Sequence, residues 1–119
     1  MSWNSILIAS LILAMILGLK RLGLVSAGTT RKYLKEDALV VDVRSAREFK
    51  AGHLPMAMNI PLGELRTSLP RRVSDKNQVL LLHCLSGTRS GIAKRMLKGM
   101  GYQNVFNVGS YGRARRIIG

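Results

Sequence analysis

Cys84, the only cysteine, opens the segment Cys84-Leu-Ser-Gly-Thr-Arg89-Ser90, and no other residue offers as much chemistry. It follows an apolar run at 79–83 that reads as a buried strand, and it precedes a stretch with helical spacing. In an open α/β sheet the carboxyl end of a strand is where ligands bind. A thiol there faces the backbone N–H groups of a loop and of a first helical turn, with Gly87 free to take a conformation other residues resist. Such a site favours thiolate over thiol, and Arg89 adds a permanent positive charge. The same cradle would hold an oxyanion such as a sulfonate or phosphate. The competing reading is a small buried hydrophobe, since Cys is among the most buried residue types. One thiol excludes an intrachain disulfide and any site that needs several cysteine ligands, so neither metal nor other cofactor is expected.

The rest of the sequence supplies the elements that must position this loop. Residues 38–43 (ALVVDV) read as a strand buried on both faces. Ser45 with Glu48 three residues on forms a capping-box pattern for a short helix, broken by Gly52 and Pro55. Residues 58–60 predict a short strand ended by Pro61, and residues 62–69 a helix with Pro70 as its stop. Over 90–100, apolar positions 92, 93, 96, 97 and 100 recur at helical spacing, with Lys94, Arg95 and Lys98 on the other face. Gly99 and Gly101 end that helix, and residues 105–108 give a last strand. Strands alternating with helices predict a mostly parallel α/β sheet.

Composition sets the frame. The 119 residues carry 19 Lys plus Arg against 6 Asp plus Glu, a formal charge of +13, with 47% apolar residues. That length allows one compact domain, and the apolar fraction excludes a disordered basic tail. Residues 1–19 hold no charged side chain, while 20–119 hold all 25. From Trp3 to Leu19 an uncharged, mostly apolar stretch would rise about 25 Å as a helix, against a hydrocarbon core of about 30 Å. Apolar on all sides, it has no interior to fill in so small a domain. A cleaved secretory signal would carry its positive charge before the apolar run, whereas Lys20 and Arg21 follow it; Val25-Ser26-Ala27 gives only a faint cleavage-site pattern. The expectation is therefore a retained transmembrane anchor at 1–24, in the bilayer through residues 3–19, and a folded domain at 25–119. Lys20, Arg21, Arg31, Lys32 and Lys35 place that domain in the cytoplasm under the positive-inside rule, on a single-pass protein of a cell membrane such as the bacterial inner membrane.

The segments 38–61 and 80–110 resemble the rhodanese domain. The likeness spans roughly 28–112 and rests on Asp42-Val-Arg44 ending the first strand, Glu48, Gly52-His53, Asn59-Ile60-Pro61, the Cys84 loop, and Gly101-Tyr102 before the last strand. It implies a three-layer α/β/α fold with a mostly parallel central sheet and a sulfurtransferase activity. Cys84 would take a sulfane sulfur from thiosulfate or a persulfide donor as a persulfide and pass it to a thiol, a protein thiol or cyanide. Leu85, Ser86, Gly87, Thr88 and Arg89 would form the substrate cradle, and Asp42 with Arg44 a buried pair ordering the loops around it. Four residues separate Cys84 from Arg89, whereas the look-alike cysteine phosphatases have five; the shorter loop suits a persulfide sulfur better than a tetrahedral phosphoryl group. The sequence departs from the family's pattern at Met56, where glycine is usual, and at Gly109-Ser110-Tyr111-Gly112-Arg113, which predicts a short, loosely packed final helix.

Other residues have plainer explanations. His53 is expected to bond backbone in its turn, and His83 to point away from the Cys84 side of its strand. Two further functions fit the composition: a membrane-tethered persulfide carrier or adaptor with little turnover, and a non-catalytic module binding anionic lipid or nucleic acid through Arg71, Arg72, Arg113, Arg115 and Arg116. Scarce base-stacking aromatics weigh against nucleic acid, and an anionic leaflet attracts surplus cations at about 1 kcal/mol per charge.

Overall fold

The computed structural model describes residues 2–119, with the side chains of 18–22 outside that description. The two apolar runs form β1 (Leu39–Asp42) and β3 (Leu80–His83), which pair in parallel at the centre of a four-stranded sheet. With β2 (Met58–Asn59) and β4 (Val105–Gly109) the order is β2-β1-β3-β4, every ladder parallel.

Alternation along these strands builds two cores. Val41, Leu80, Leu82 and Cys84 face one side, under α4 (Leu65–Arg72) and α5 (Thr88–Gly99). Val40, Leu81 and Val108 face the other, where α2 (Ala27–Lys35) and α6 (Tyr111–Ile118) lie side by side. These are the three layers the resemblance implies. The alternation also puts His83 and Cys84 on opposite faces.

Local rules hold at most boundaries. Ser45 caps α3 (Ala46–Ala51) through a complete capping box with Glu48. Pro70, however, does not stop its helix: after a 3-10 turn at Leu62–Glu64, α4 runs through it to Arg72. Proline forfeits one backbone bond there, while fully buried Leu65 and Leu69 hold the helix to the core. Ile92, expected among the apolar core positions of α5, is 47% exposed. The turn at Met56 closes through the Ala57 N–H to Leu54 O at 3.0 Å with no left-handed residue, so glycine is not needed there. The final helix is short but firmly seated: Ser110 caps it, Ala114 is fully buried, and Arg113 donates to Val108 O at 2.6 Å and Val25 O at 2.7 Å. Arg113 is therefore committed within the fold rather than to an outer basic cluster.

The expected transmembrane anchor needs correction. The segment is helical, as α1 (Trp3–Leu22), but among the described residues no helix is long and apolar enough to cross a membrane. Beyond α1 the chain joins the sheet: Leu24 bridges Asn107, and the Val25 N–H donates to Asn107 O at 2.9 Å. Ser26, part of the faint cleavage pattern, caps α2.

Candidate active site

Strand β3 ends at His83 because the chain must turn into the α5 helix, and the turn wraps Cys84. The Gly87 N–H donates to Sγ at 3.0 Å, and Ser90 Oγ lies 3.4 Å from it. Gly87 has φ +98°, and a Cβ there would come within 3.3 Å of Gly109 Cα, so only glycine fits both the conformation and the space. Cys84 and Gly87 are thus held from behind by β4: the Cys84 N–H donates to Gly109 O at 3.1 Å, Ser86 bridges Ser110, and the Tyr111 N–H donates to Leu85 O at 3.2 Å. Thr88 starts α5, and Leu85, 57% exposed, forms the rim of the loop.

Burial pushes the Cys84 thiol up, but hydrogen bonds from the Ser90 hydroxyl and from the Ser90, Gly87 and Ser86 backbone outweigh it and leave the thiol below its ordinary value. The balance shifts the thiol toward its thiolate form.

Two residues in this assembly escaped the sequence reading. Fully buried Asn107, in β4, accepts from Ser90 Oγ at 2.7 Å and from the Gly109 N–H at 2.9 Å, and its Nδ2 donates to Gly87 O at 3.2 Å. It sets the Ser90 hydroxyl and the Gly87 peptide at once. The Ser90 proton has Asn107 Oδ1, Gly87 O and Sγ within reach, and a thiolate is the acceptor that draws it. The available signal was a polar Asn inside a β-branched strand, where such residues are depleted. Ser90→Ala should move the acid limb of the pH–rate profile to higher pH and slow the thiosulfate step on the order of tenfold near neutrality. An unshifted limb would show that Ser90 does not act on the thiol.

Arg89 has a partner that its place in the loop does not suggest. Its guanidinium grips Glu48 across 41 residues of sequence, at 2.7 and 2.9 Å. Those bonds, with the Ser45 N–H, hold the Glu48 carboxyl down to about 2, so the clasp between loop and α3 persists at any ordinary pH. Arg89 reaches Cys84 through its charge, not through a hydrogen bond of its own. Asp42 and Arg44 form the buried pair: Arg44 Nε lies 3.0 Å from both carboxylate oxygens and Nη2 2.8 Å from Oδ2, while Nη2 also donates to Gly52 O at 2.7 Å. Asn59 Nδ2 donates to the carbonyls of Asp42 and Arg44, and Tyr111 lies under the guanidinium at 4.4 Å. His53 donates from Nδ1 to Phe49 O at 2.7 Å and stacks on the Phe49 ring. His83 is fully buried, and burial, more than any neighbouring charge, lowers its pKa. Among the described residues no group of carboxylates, histidines or cysteines could hold a metal ion.

The profile of the family described as Rhodanese-like domain matches residues 26–111. The chain belongs to that family. Its rhodanese domain is 39% identical over 69 residues to thiosulfate sulfurtransferase PspE of Escherichia coli, covering 58% of this chain and 66% of that protein. It is 32% identical over 76 residues to the tRNA uridine(34) hydroxylase of Erwinia tasmaniensis, covering 60% of this chain but 22% of that one. The rhodanese domain thus spans less than two thirds of the length of these relatives. The solved human single-domain sulfurtransferase TSTD1 superposes with a TM-score of 0.67 at 27% identity, covering 79% of this chain and 96% of that structure.

Proposed function

We propose that the protein is a rhodanese-type sulfurtransferase in which Cys84 carries the sulfur as a persulfide. The observation that carries this reading is the donor cup around Sγ, where Gly87 and Ser90 face the sulfur and stabilise its charged form. The names of PspE and TSTD1 support the same class.

The reaction has two strokes. The Cys84 thiolate attacks the outer sulfur of thiosulfate; the S–S bond of thiosulfate breaks, its electron pair leaves with sulfite, and a Cys84 persulfide anion remains. The loop N–H groups receive that anion as they received the thiolate. Cyanide or a thiolate then attacks the terminal sulfur, and the electron pair of the broken bond returns to Sγ. Leu85, Ser86, Gly87 and Thr88 form the cup, Arg89 contributes charge and holds the loop to α3, and Asp42 with Arg44 fixes the neighbouring turn. Thiocyanate should form from thiosulfate and cyanide with ping-pong kinetics; intersecting rather than parallel double-reciprocal lines would remove the persulfide intermediate.

The localisation reading is a lipid surface, with the rhodanese domain on the cytoplasmic side. Leu11 at 70%, Met15 at 59% and Ile8 at 58% exposure leave α1 with apolar side chains that nothing in the chain covers, an arrangement water disfavours. The full chain should float with anionic vesicles and a variant with Asp at Ile8, Leu11 and Met15 should not; equal behaviour of the two would end this reading.

A further inference from the structure

The net charge of +13 does not extend to the surroundings of the reacting sulfur. The chain has 19 Lys plus Arg against 6 Asp plus Glu, yet two of those six acids, Asp42 and Glu48, lie beside the Cys84 loop, each on an arginine. Among the described residues these are the only pairs of a carboxylate with Lys or Arg. The pairs also act on each other: Arg44 lies in the field of Glu48, and Arg89 in that of Asp42 and Cys84. Two cations and two carboxylates cancel, and the Cys84 thiolate makes the whole cluster negative.

Glu48 is the member that governs Arg89. Its Oε1 accepts from Arg89 Nη1 at 2.7 Å and its Oε2 from Nη2 at 2.9 Å, so both terminal nitrogens of the guanidinium are engaged. The same Oε1 accepts from the Ser45 N–H and hydroxyl, each at 3.1 Å, which anchors the carboxylate to the first turn of α3. With its carboxyl held down to about 2, Glu48 stays charged at any ordinary pH. A capping box works equally with glutamine, so the cap does not require that charge, and Arg89 is the group on which it acts.

We propose that Glu48 is a specificity-determining residue, which by offsetting the charge of Arg89 beside the Cys84 loop turns the site toward singly charged or neutral sulfane donors and away from doubly charged ones. The inference rests on the sulfur-transfer reading above and concerns the charge of its donor. An unpaired Arg89 would compensate part of an incoming anion, whereas the paired one leaves a dianion such as thiosulfate approaching a thiolate with little to offset the repulsion. A donor of lower charge loses less. The side chains of Arg89 and Glu48 are 35% and 30% exposed, so water screens the effect and the selection is about threefold rather than absolute.

Glu48→Gln tests this, because it keeps Oε1 for Ser45 and for Arg89 Nη1 while removing the charge. Thiosulfate and benzenethiosulfonate both yield their outer sulfur to the thiolate, the S–S bond breaking with its electron pair on sulfite or on benzenesulfinate; the first donor is doubly charged and the second singly. At low ionic strength, where screening is least, the ratio of kcat/KM for thiosulfate to that for benzenethiosulfonate should rise about threefold in the variant, through KM. A change in Cys84 ionisation or in the fold acts on both donors and cancels in the ratio, so an unchanged or lowered ratio overturns the assignment. Alkylation of Cys84, the only cysteine, separates this inference from the reading beneath it. The rate with iodoacetate relative to iodoacetamide, reagents of similar shape that differ by one charge, should rise likewise and needs no sulfur transfer. A raised alkylation ratio in a chain that transfers no sulfur keeps the charge selection and removes the sulfurtransferase reading, whereas an unchanged one in an active chain removes Glu48 as the selector and leaves sulfur transfer standing.

Discussion

Cys84→Ser should abolish thiocyanate formation while leaving the fold intact. Serine has no sulfur to extend into a persulfide, and its hydroxyl remains protonated where the thiol ionises, so both strokes fail. No second cysteine exists to substitute. The loss should be at least about a thousandfold, the scale seen when a covalent nucleophile is removed. The fold should tolerate the change because the new hydroxyl inherits the Gly87 N–H and the Ser90 hydroxyl as partners, so its burial costs no more than about 1–3 kcal/mol. Thermal melting checks the fold and the thiosulfate–cyanide assay the activity; turnover within tenfold of wild type would assign the chemistry to another group.

Asp42→Ala should have the largest effect on stability. It strips the carboxylate from a guanidinium that is 4% exposed, leaving the charge in contact with the Gly52 carbonyl and the Tyr111 ring and otherwise with the charge of Glu48. Breaking a buried pair from one side costs about 3–5 kcal/mol, a large part of the 5–15 kcal/mol that holds a domain folded. Arg44 cannot escape the cost by shedding its proton, because a guanidinium stays protonated at any pH at which the protein is folded. In urea denaturation the double variant Asp42→Ala/Arg44→Met should recover much of the loss, because it removes both charges. A single variant as stable as the wild type would show that the pair does not hold these turns.

What the sequence made legible follows from short-range rules. The Cys84 loop was visible because an apolar strand, a glycine and a helical repeat lie in immediate succession, and the α3 start because Ser45 and Glu48 cap each other within one turn. The partner of Arg89 was hidden because Glu48 is 41 residues away and already explained by its cap, so nothing local requires a second role for it. Ser90 and Asn107 act together only once β4 lies beside β3, which no local pattern specifies. Helix α2, AGTTRKYLK, carries two threonines and few apolar positions; it is held by its Ser26 cap and by the seating of Tyr33 and Leu34 in the second core, which is tertiary information. Pro70 misled for the converse reason, since a local helix breaker was overruled by two fully buried leucines.

The most direct test of the central claim is the intact mass of the protein after treatment with thiosulfate and removal of excess reagent. The wild-type chain should gain one sulfur, about 32 Da, lost again on adding cyanide, and Cys84→Ser should gain nothing. An unmodified wild-type chain, or the same adduct on the serine variant, would contradict the assignment of Cys84 as the sulfur carrier.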